Sequence, residues 1–562
     1  MSDRQSAPGI QTQHSDSPPS DSMPELLPGS NVGALFKQAL QLHRLGHWEA
    51  ASFLYEQVIA AQGHHHEALH MSGVVALQMH LPELSLARID QALVLSPRNA
   101  KMLFHRGVAL EKLRRLEDAI CSYDRAIALC PDYVQALVNR GVAYKELGQW
   151  DLAIGSFEQA IAYDPQCVPA YVNLGNAQSA AKRWSLALNS YREAMALDPT
   201  SETAPIYLAK ALRMLGRIPE AIALCERVLV KHPDSVLAHW NLAHLLLLSG
   251  LWHQGWPHYE WRWHYAENAK YQRSFPQPRW DGLQSLTGKT LLLHHEQGLG
   301  DTIQFCRYAS LCSLRGARVL LEVPRSLVDL MQGLEGIHAV LERSDSPPAF
   351  DYHCPLMSLP GIFATSPHST PGTHAYLRAS SIKEQQWQER LAAVNKFKVG
   401  IVWSGGVRAD QEELNQARNI PLAQLAQALR DVDVALFSLQ KGELAEAELR
   451  GREESYWPNG NFYNFTDAID SFDDTAGILA HMDLVISVDT STLHLAAALG
   501  RPTWLLNKYE TCWRWLLDRD TSPWYPTLKI YRQDARMDWT PVLKRVASDL
   551  VKTVETANRT PK

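Results

Sequence analysis

The chain has 562 residues, is 46% hydrophobic and carries a formal net charge of −6, which is enough length and apolar content for two or three packed domains. No segment concentrates Lys and Arg as a phosphate-tracking face would, so nucleic acid is not an expected partner, and no run reaches the roughly 18 apolar residues of a membrane-spanning helix. Eight cysteines without a CxxC spacing fit a reduced compartment, and a cytoplasmic protein is expected.

Residues 1–31 are polar and rich in Ser and Pro, without the apolar stretch of a signal peptide, and read as a disordered tail. A repeat follows. Gly107, Gly141 and Gly175 stand 34 residues apart, and the same step links Ala119, Ala153 and Ala187, and Pro131, Pro165 and Pro199. This is the tetratricopeptide-repeat pattern, in which each unit is a helix–turn–helix that buries its apolar face only by stacking on its neighbours. Anchoring on the small residue at the eighth position gives seven units over 32–266, starting near 32, 66, 100, 134, 168, 202 and 236. Ser85 and Gly255, where alanine is expected, mark the second and seventh units as atypical.

The sixth position of each unit, on the first helix lining a groove, is Lys37, Met71, His105, Asn139, Asn173, Tyr207 and Asn241. An Asn amide both donates and accepts, so Asn139, Asn173 and Asn241 are candidate contacts to the backbone of an extended polypeptide. Asparagine is also common at this position for purely structural reasons. His64, His65 and His66 fall at a turn between units and read as solvated, since consecutive residues do not converge on one metal.

From Trp256 to Trp280 the chain turns aromatic, and residues 267–288, with Pro276 and Pro278, read as a join that wedges the last repeat against the next domain. Strand–helix alternation then begins. KTLLLHHE is a strand, GLGD a turn, TIQFCRYASLC a helix and ARVLLEV a second strand. The pattern restarts at Lys398 with KVGIVWSGG, a helix around Leu422–Leu429, the strand DVALFSLQ, helices near 444–450 and 475–480, the strand DLVISVD, the helix LHLAAALG and the strand PTWLL. Two doubly wound α/β domains are expected, 289–395 and 396–535, followed by a C-terminal helix and tail over 536–562.

Four segments carry candidate chemistry. In DLVISVDTSTLHLAAALGRP, Asp483 to Pro502, a strand ends at Asp489 and a helix begins within a few residues, so amides around Thr490, Ser491 and Thr492 suit a phosphate; a plain helix cap reads the same way. In EQGLGDTIQF, Glu296 to Phe305, Gly298 and Gly300 permit a tight turn beside Gln297. Ile303 occupies the third glycine's place of GxGxxG, which disfavours a dinucleotide site. Asp301 there is either a capping acid or a general base. WSGG offers Ser404 and Gly405 after a strand, and SLQKG offers Gln440 and Lys441, with Arg418 on a nearby polar loop.

The segment from Asp489 through His494 to Gly500 resembles the donor-binding signature of heptosyltransferase-type glycosyltransferases. The resemblance implies the two-domain GT-B fold, with Asp489 on donor-sugar hydroxyls, Thr490 and Ser491 on the diphosphate, His494 beside it, and Asp301 as the base for the acceptor hydroxyl. Heptosyltransferases commonly have Gly where Ser491 stands. Ser404, Gly405, Arg418, Gln440 and Lys441 complete the donor set, with Gln297, Gly298 and Gly300 in the cleft loop. Repeats joined to a glycosyltransferase also resemble O-linked N-acetylglucosamine transferases.

A diphosphate leaves readily, so cations and aimed amides on it, together with one base, suffice for transfer; the carboxylate pair of glycoside hydrolysis is not needed. Asp431-Val-Asp433 and Asp518-Arg-Asp520 match Asp-x-Asp, but Asp431 precedes a strand, so neither metal nor cofactor is expected beyond a nucleotide-sugar co-substrate. The expected protein is a metal-independent, inverting glycosyltransferase acting on a hydroxyl of a polypeptide held by the repeats. The alternatives are a non-catalytic repeat scaffold and a transferase acting on a glycan or lipid core.

Overall fold

A computed structural model describes residues 31–372, 374–406 and 418–559, and the expected polar tail, apart from Asn31, lies outside them. The chain divides into two compact units, one ending at Leu197 and one beginning at Asp198. Fourteen helices occupy the described residues from Val32 to Tyr259, followed by α/β structure with two parallel sheets.

The first unit holds five helix pairs, whose first members begin at Val32, His66, Ala100, Val134 and Val168. The 34-residue glycines have a direct cause. A Cβ on Gly107, Gly141 or Gly175 would fall 2.4 Å from Tyr123, 2.5 Å from Phe157 and 2.5 Å from Tyr191, in each case the ring of the second helix of the same pair. Gly73 meets Ile89 in the same way, at 2.6 Å. The rings are fully or almost fully buried, so each pair closes by seating one large side chain on a bare backbone.

The second unit opens with the helices Thr203–Met214, Ile218–Lys231, Val236–Leu248 and Trp252–Tyr259. The last two repeats therefore pack with the α/β half. Rings from both parts interlock: Trp252 stacks on Trp524 at 4.8 Å between centroids, and Trp256 meets Trp513 edge-on at 5.4 Å. The Trp256 indole N–H donates to the Thr365 carbonyl at 2.8 Å.

Arg262, fully buried, grips Glu296 through Nε and Nη2 at 2.8 and 3.0 Å and also reaches Glu260 and Ser358. Losing one partner of such a buried pair strands the other charge, at a cost of about 3–5 kcal/mol. The aromatic join is thus a clamp between the seventh repeat and the end of the first sheet strand.

The first sheet contains β1 (Thr290–His294), β2 (Arg318–Val323), β3 (Ala339–Glu342) and β4 (Tyr352–Pro355) in the order β3-β2-β1-β4. The second contains β5 (Lys398–Val402), β6 (Ala435–Ser438), β7 (Phe462–Asn464), β8 (Leu484–Val488), β9 (Thr503–Asn507) and β10 (Leu528–Arg532), ordered β10-β9-β8-β5-β6-β7. The sequence reading contains neither β3, β4, β7 nor β10, which are the four edge strands of the two sheets.

Val399, Ile401, Leu436, Ile486, Val488 and Leu506 form one core with Val542, Val546 and Leu550 of the terminal helix Thr540–Arg559. In each sheet the strand order reverses once, between β1 and β4 and between β5 and β8. Parallel sheets of this winding leave a crevice beyond the carboxyl ends of the strands at that reversal.

Candidate functional site

The residues that follow β1, β5 and β8 converge beyond those strand ends. After β1 the chain enters the short helix Leu299–Phe305, and after β8 the helix Ser491–Ala498. These helices pack against each other so closely that a Cβ on Gly300 would lie 2.8 Å from His494 Cδ2 and 3.5 Å from Ser491 Cα. The glycine turn of one sheet and the Asp–Thr–Ser turn of the other therefore share one wall.

Asp301 is a capping acid, one of the two roles its position suggested, and it also holds an ion pair. Its Oδ2 accepts the Gly298 amide at 2.9 Å, which makes it a cap, while Oδ1 accepts from Arg514 Nη2 at 2.5 Å. The pair is 19% and 10% exposed on its two side chains, so it is not sealed in the core. Arg514 Nε donates to Gln304 Oε1 at 2.8 Å, and its guanidinium lies 4.4 Å from the Trp513 ring centre. Burial opposes the Arg514 charge, but the Asp301 carboxylate, helped by Cys512 and Tyr259, outweighs it and makes the guanidinium hold its proton more firmly.

Asp489, one residue past β8, accepts the Trp515 indole N–H at 2.9 Å and faces His494 Nε2 at 3.7 Å. Burial works to raise its pKa, but His494, the Trp515 N–H and the Arg514 charge outweigh it and hold the carboxyl below its ordinary value. His494 is fixed from behind, with Nδ1 2.9 Å from the Tyr525 hydroxyl and its ring stacked on Trp515 at 5.4 Å. Thr490 is the N-cap; its hydroxyl takes the Leu493 amide at 3.3 Å and lies 3.1 Å from Ser487 Oγ. One of the helix's open amides is thereby satisfied, leaving Ser491 at the start facing Gly300.

At the end of β5, Arg418 lies flat on Gly405, where a Cβ would fall 2.1 Å from Cζ. Its Nη2 donates to the Gly406 carbonyl at 2.9 Å and Nη1 reaches the Asp489 carbonyl at 3.5 Å, so it bridges the ends of β5 and β8. The Gly405 amide donates to Asn419 at 2.9 Å, and the Ser404 hydroxyl turns toward the Gly405 carbonyl at 3.4 Å.

Gln440 is committed to backbone: its Oε1 accepts from Trp403 and Ser404 amides at 3.1 and 2.9 Å, and its Nε2 donates to the Ser404 and Lys441 carbonyls at 3.0 and 2.8 Å. That side chain shapes the loop and has little capacity left for a ligand. Lys441, exposed, donates to the Thr466 carbonyl at 3.1 Å. Gln297 and Gly298 are half-buried in the loop after β1. Asp433 pairs with Lys396 at 2.6 Å, and Asp431 lies 3.7 Å from Arg430, as solvated surface acids do.

The candidate groove asparagines are divided between the two units. Asn139 and Asn173 belong to the first unit and Asn241 to the second. Asn139 Nδ2 donates to the Tyr123 hydroxyl at 3.5 Å, Asn173 Nδ2 to Pro169 O at 2.9 Å and Asn241 Nδ2 to Leu237 O at 2.8 Å. Each spends a donor on the protein itself.

Sequence reasoning missed Arg514, Trp515, Tyr525 and Gln304. A signal was present: from Asn507 to Leu528 no strand or α-helix interrupts the chain, and a connection that long inside a compact fold is usually functional. The backbone agrees, since Leu516 and Asp518 both adopt positive φ, 53° and 50°.

Comparison with known proteins classes parts of the chain. Residues 423–508 match the family model Glycosyltransferase family 9 (heptosyltransferase), and residues 115–148, 138–202 and 179–246 match tetratricopeptide-repeat models. The chain therefore joins tetratricopeptide repeats to a domain of glycosyltransferase type.

Among curated proteins it is similar to the protein FlbA of Caulobacter vibrioides, 28% identical over 364 residues, covering 60% of this chain and 59% of that one. The chain thus spans about three fifths of that relative's length. Among solved structures, MamA from Desulfovibrio magneticus is 19% identical, covering 30% of this chain and 96% of that one with a TM-score of 0.29. A tetratricopeptide repeat protein from Parabacteroides merdae is 16% identical, with 43% and 94% covered and a TM-score of 0.37. Scores this low decide nothing about this chain.

Proposed function

We propose that the protein is a glycosyltransferase of GT-B arrangement that moves a sugar from a nucleotide-diphosphate donor to a hydroxyl of a protein docked on the repeats, with inversion and without a metal. The observation that carries this reading is the contact of Gly300 with His494. It sets a carboxylate from the end of one parallel sheet beside the helix start at the end of the other, where a base and a diphosphate site have to meet.

In the reaction so proposed, Asp301 takes the proton of the acceptor hydroxyl as its oxygen bonds to the anomeric carbon. The bond from that carbon to the diphosphate breaks, and its electron pair leaves with the nucleotide. The Ser491 helix start and the nearby arginines offset the charge that develops there. One displacement with one base inverts the anomeric centre. The repeats supply the recruiting surface, as in the O-linked N-acetylglucosamine transferases that this order of domains resembles.

Purified protein incubated with a panel of nucleotide sugars and cell lysate tests the reading, with mass additions on polypeptides compared between wild type and Asp301→Ala. Sugar on protein with wild type and a loss of about 100-fold or more with the variant is expected. Transfer only to glycan or lipid would move the acceptor away from protein. No transfer from any donor would favour a scaffold whose transferase-like domain does not turn over.

A further inference from the structure

Arg514 is the cation that pairs with the proposed base, Asp301. It arrives on the turn Trp513–Trp515, whose three residues have three separate tasks: Trp513 enters the aromatic clamp, Arg514 holds Asp301, and Trp515 holds Asp489. Arg514 also acts on Asp489 electrostatically. It therefore lies within reach of both halves of the site.

The turn is held from behind by Arg532, which donates to the Trp515 and Arg519 carbonyls and to Thr511 Oγ1. Burial lowers the Arg532 pKa to about 10, with Asp518 acting in the opposite direction. With Leu516 and Asp518 at positive φ beside it, the backbone is kept in a conformation that persists only when its surroundings over-determine it, as at functional sites.

Asp301 has one oxygen on an amide and the other on a guanidinium, at 2.9 and 2.5 Å, so an acceptor hydroxyl would meet a carboxylate already engaged by a charged partner. Any base role for Asp301 requires Arg514 to find another anion. A donor diphosphate at the Ser491 helix start would be that anion.

Resting on the glycosyltransferase reading, we propose that Arg514 is a shared cation: it pairs with Asp301 in the empty site and transfers to the diphosphate when the donor binds. The exchange frees the carboxylate for the acceptor proton and places positive charge on the leaving group. In the step itself the hydroxyl proton goes to Asp301, the new bond forms from acceptor oxygen to anomeric carbon, and the electron pair of the broken bond departs on the nucleoside diphosphate beside Arg514. The base is then competent only when the donor is present.

Competition for one guanidinium predicts a change of sign that a purely structural ion pair does not. Titration calorimetry on the full chain with UDP, GDP, ADP, CDP and dTDP reads it. Arg514→Met should weaken whichever diphosphate binds wild type by about tenfold or more, whereas Asp301→Asn should tighten it by about tenfold, because the guanidinium no longer has to leave a charged partner. Arg514→Lys, which keeps the charge without the fork, should fall between wild type and Arg514→Met and guards against a misfolded methionine variant. Unchanged or weakened binding in Asp301→Asn overturns the exchange while leaving the transferase reading in place. Absence of binding by wild type to every diphosphate overturns both.

Discussion

Gly141 in the repeats and Gly300 at the crevice are excluded from bearing a side chain for the same reason, a neighbour within 2.5 and 2.8 Å of where Cβ would stand. Their neighbours differ. Gly141 meets Phe157, a fully buried ring in a hydrophobic cluster with Ile154 and Leu174, while Gly300 meets His494, which faces Asp489 and is held by Tyr525. Close approach in the first unit stabilises a fold; in the second it brings together groups from two sheets. The same steric rule acts at both glycines, and what differs is whether the neighbour is an apolar ring or a polar side chain.

Phe157→Ala should cost roughly 3–5 kcal/mol of unfolding free energy in urea titrations without altering diphosphate binding in the second unit; an equal loss of binding would mean that the two units do not act separately. Gly300→Ala should do the opposite. Moving His494 by part of an ångström is expected to lower transfer about 100-fold, while the unfolding free energy stays within ~1 kcal/mol of wild type. A stability loss as large as that of Phe157→Ala would make Gly300 a packing glycine and nothing more. Thr490→Ala removes the cap of the helix Ser491–Ala498 and should cost about 1 kcal/mol, read as faster hydrogen exchange at the Leu493 amide.

Acid should sharpen the contrast between the units. In the first, burial lowers His70 to about 4, with His43 and His105 also lowered; in the second it lowers His244, His295 and His353 to about 4 each, and His294 well below its ordinary value. A histidine with a folded pKa below its unfolded 6.5 binds fewer protons when native. Stability is therefore full above about 6.5 and falls as pH drops toward 4. Native-state hydrogen exchange at pH 7 and pH 5 should show the second unit losing more protection than the first. Equal losses would count against these burials as the cause.

Much of the repeat half was legible because its determinants are local. A small residue at one position and a ring sixteen residues later, as in Gly141 and Phe157, meet within one helix pair, and the pattern repeats every 34 residues. Strands β1, β2, β5, β6, β8 and β9 were legible as apolar runs for a similar reason. β3, β4, β7 and β10 were not: they are the edge strands, buried less continuously than the inner ones, so their apolar runs are broken and do not stand out from loops.

At the site, the motif residues Asp301, Asp489, Thr490, Ser491 and His494 could be named from strand-end grammar and resemblance. Their partners could not. Gln440 reads from sequence as a ligand contact, yet its amide is consumed by four backbone groups, and only coordinates show where those groups lie.

The sequence by itself determined the period of the repeats, the place where helical grammar gives way to strand and helix, and the two turns that end on Asp301 and Asp489. These depend on residues within one or two turns of chain, where backbone geometry links spacing to position. Only the tertiary structure decided that Arg514, 213 residues beyond Asp301, is its ion-pair partner, that Trp515 caps Asp489, and that the last two repeats pack with the α/β half. Those pairings arise where sheets, clamp and loop close on one another, and no spacing in the chain encodes a contact made across so long a loop.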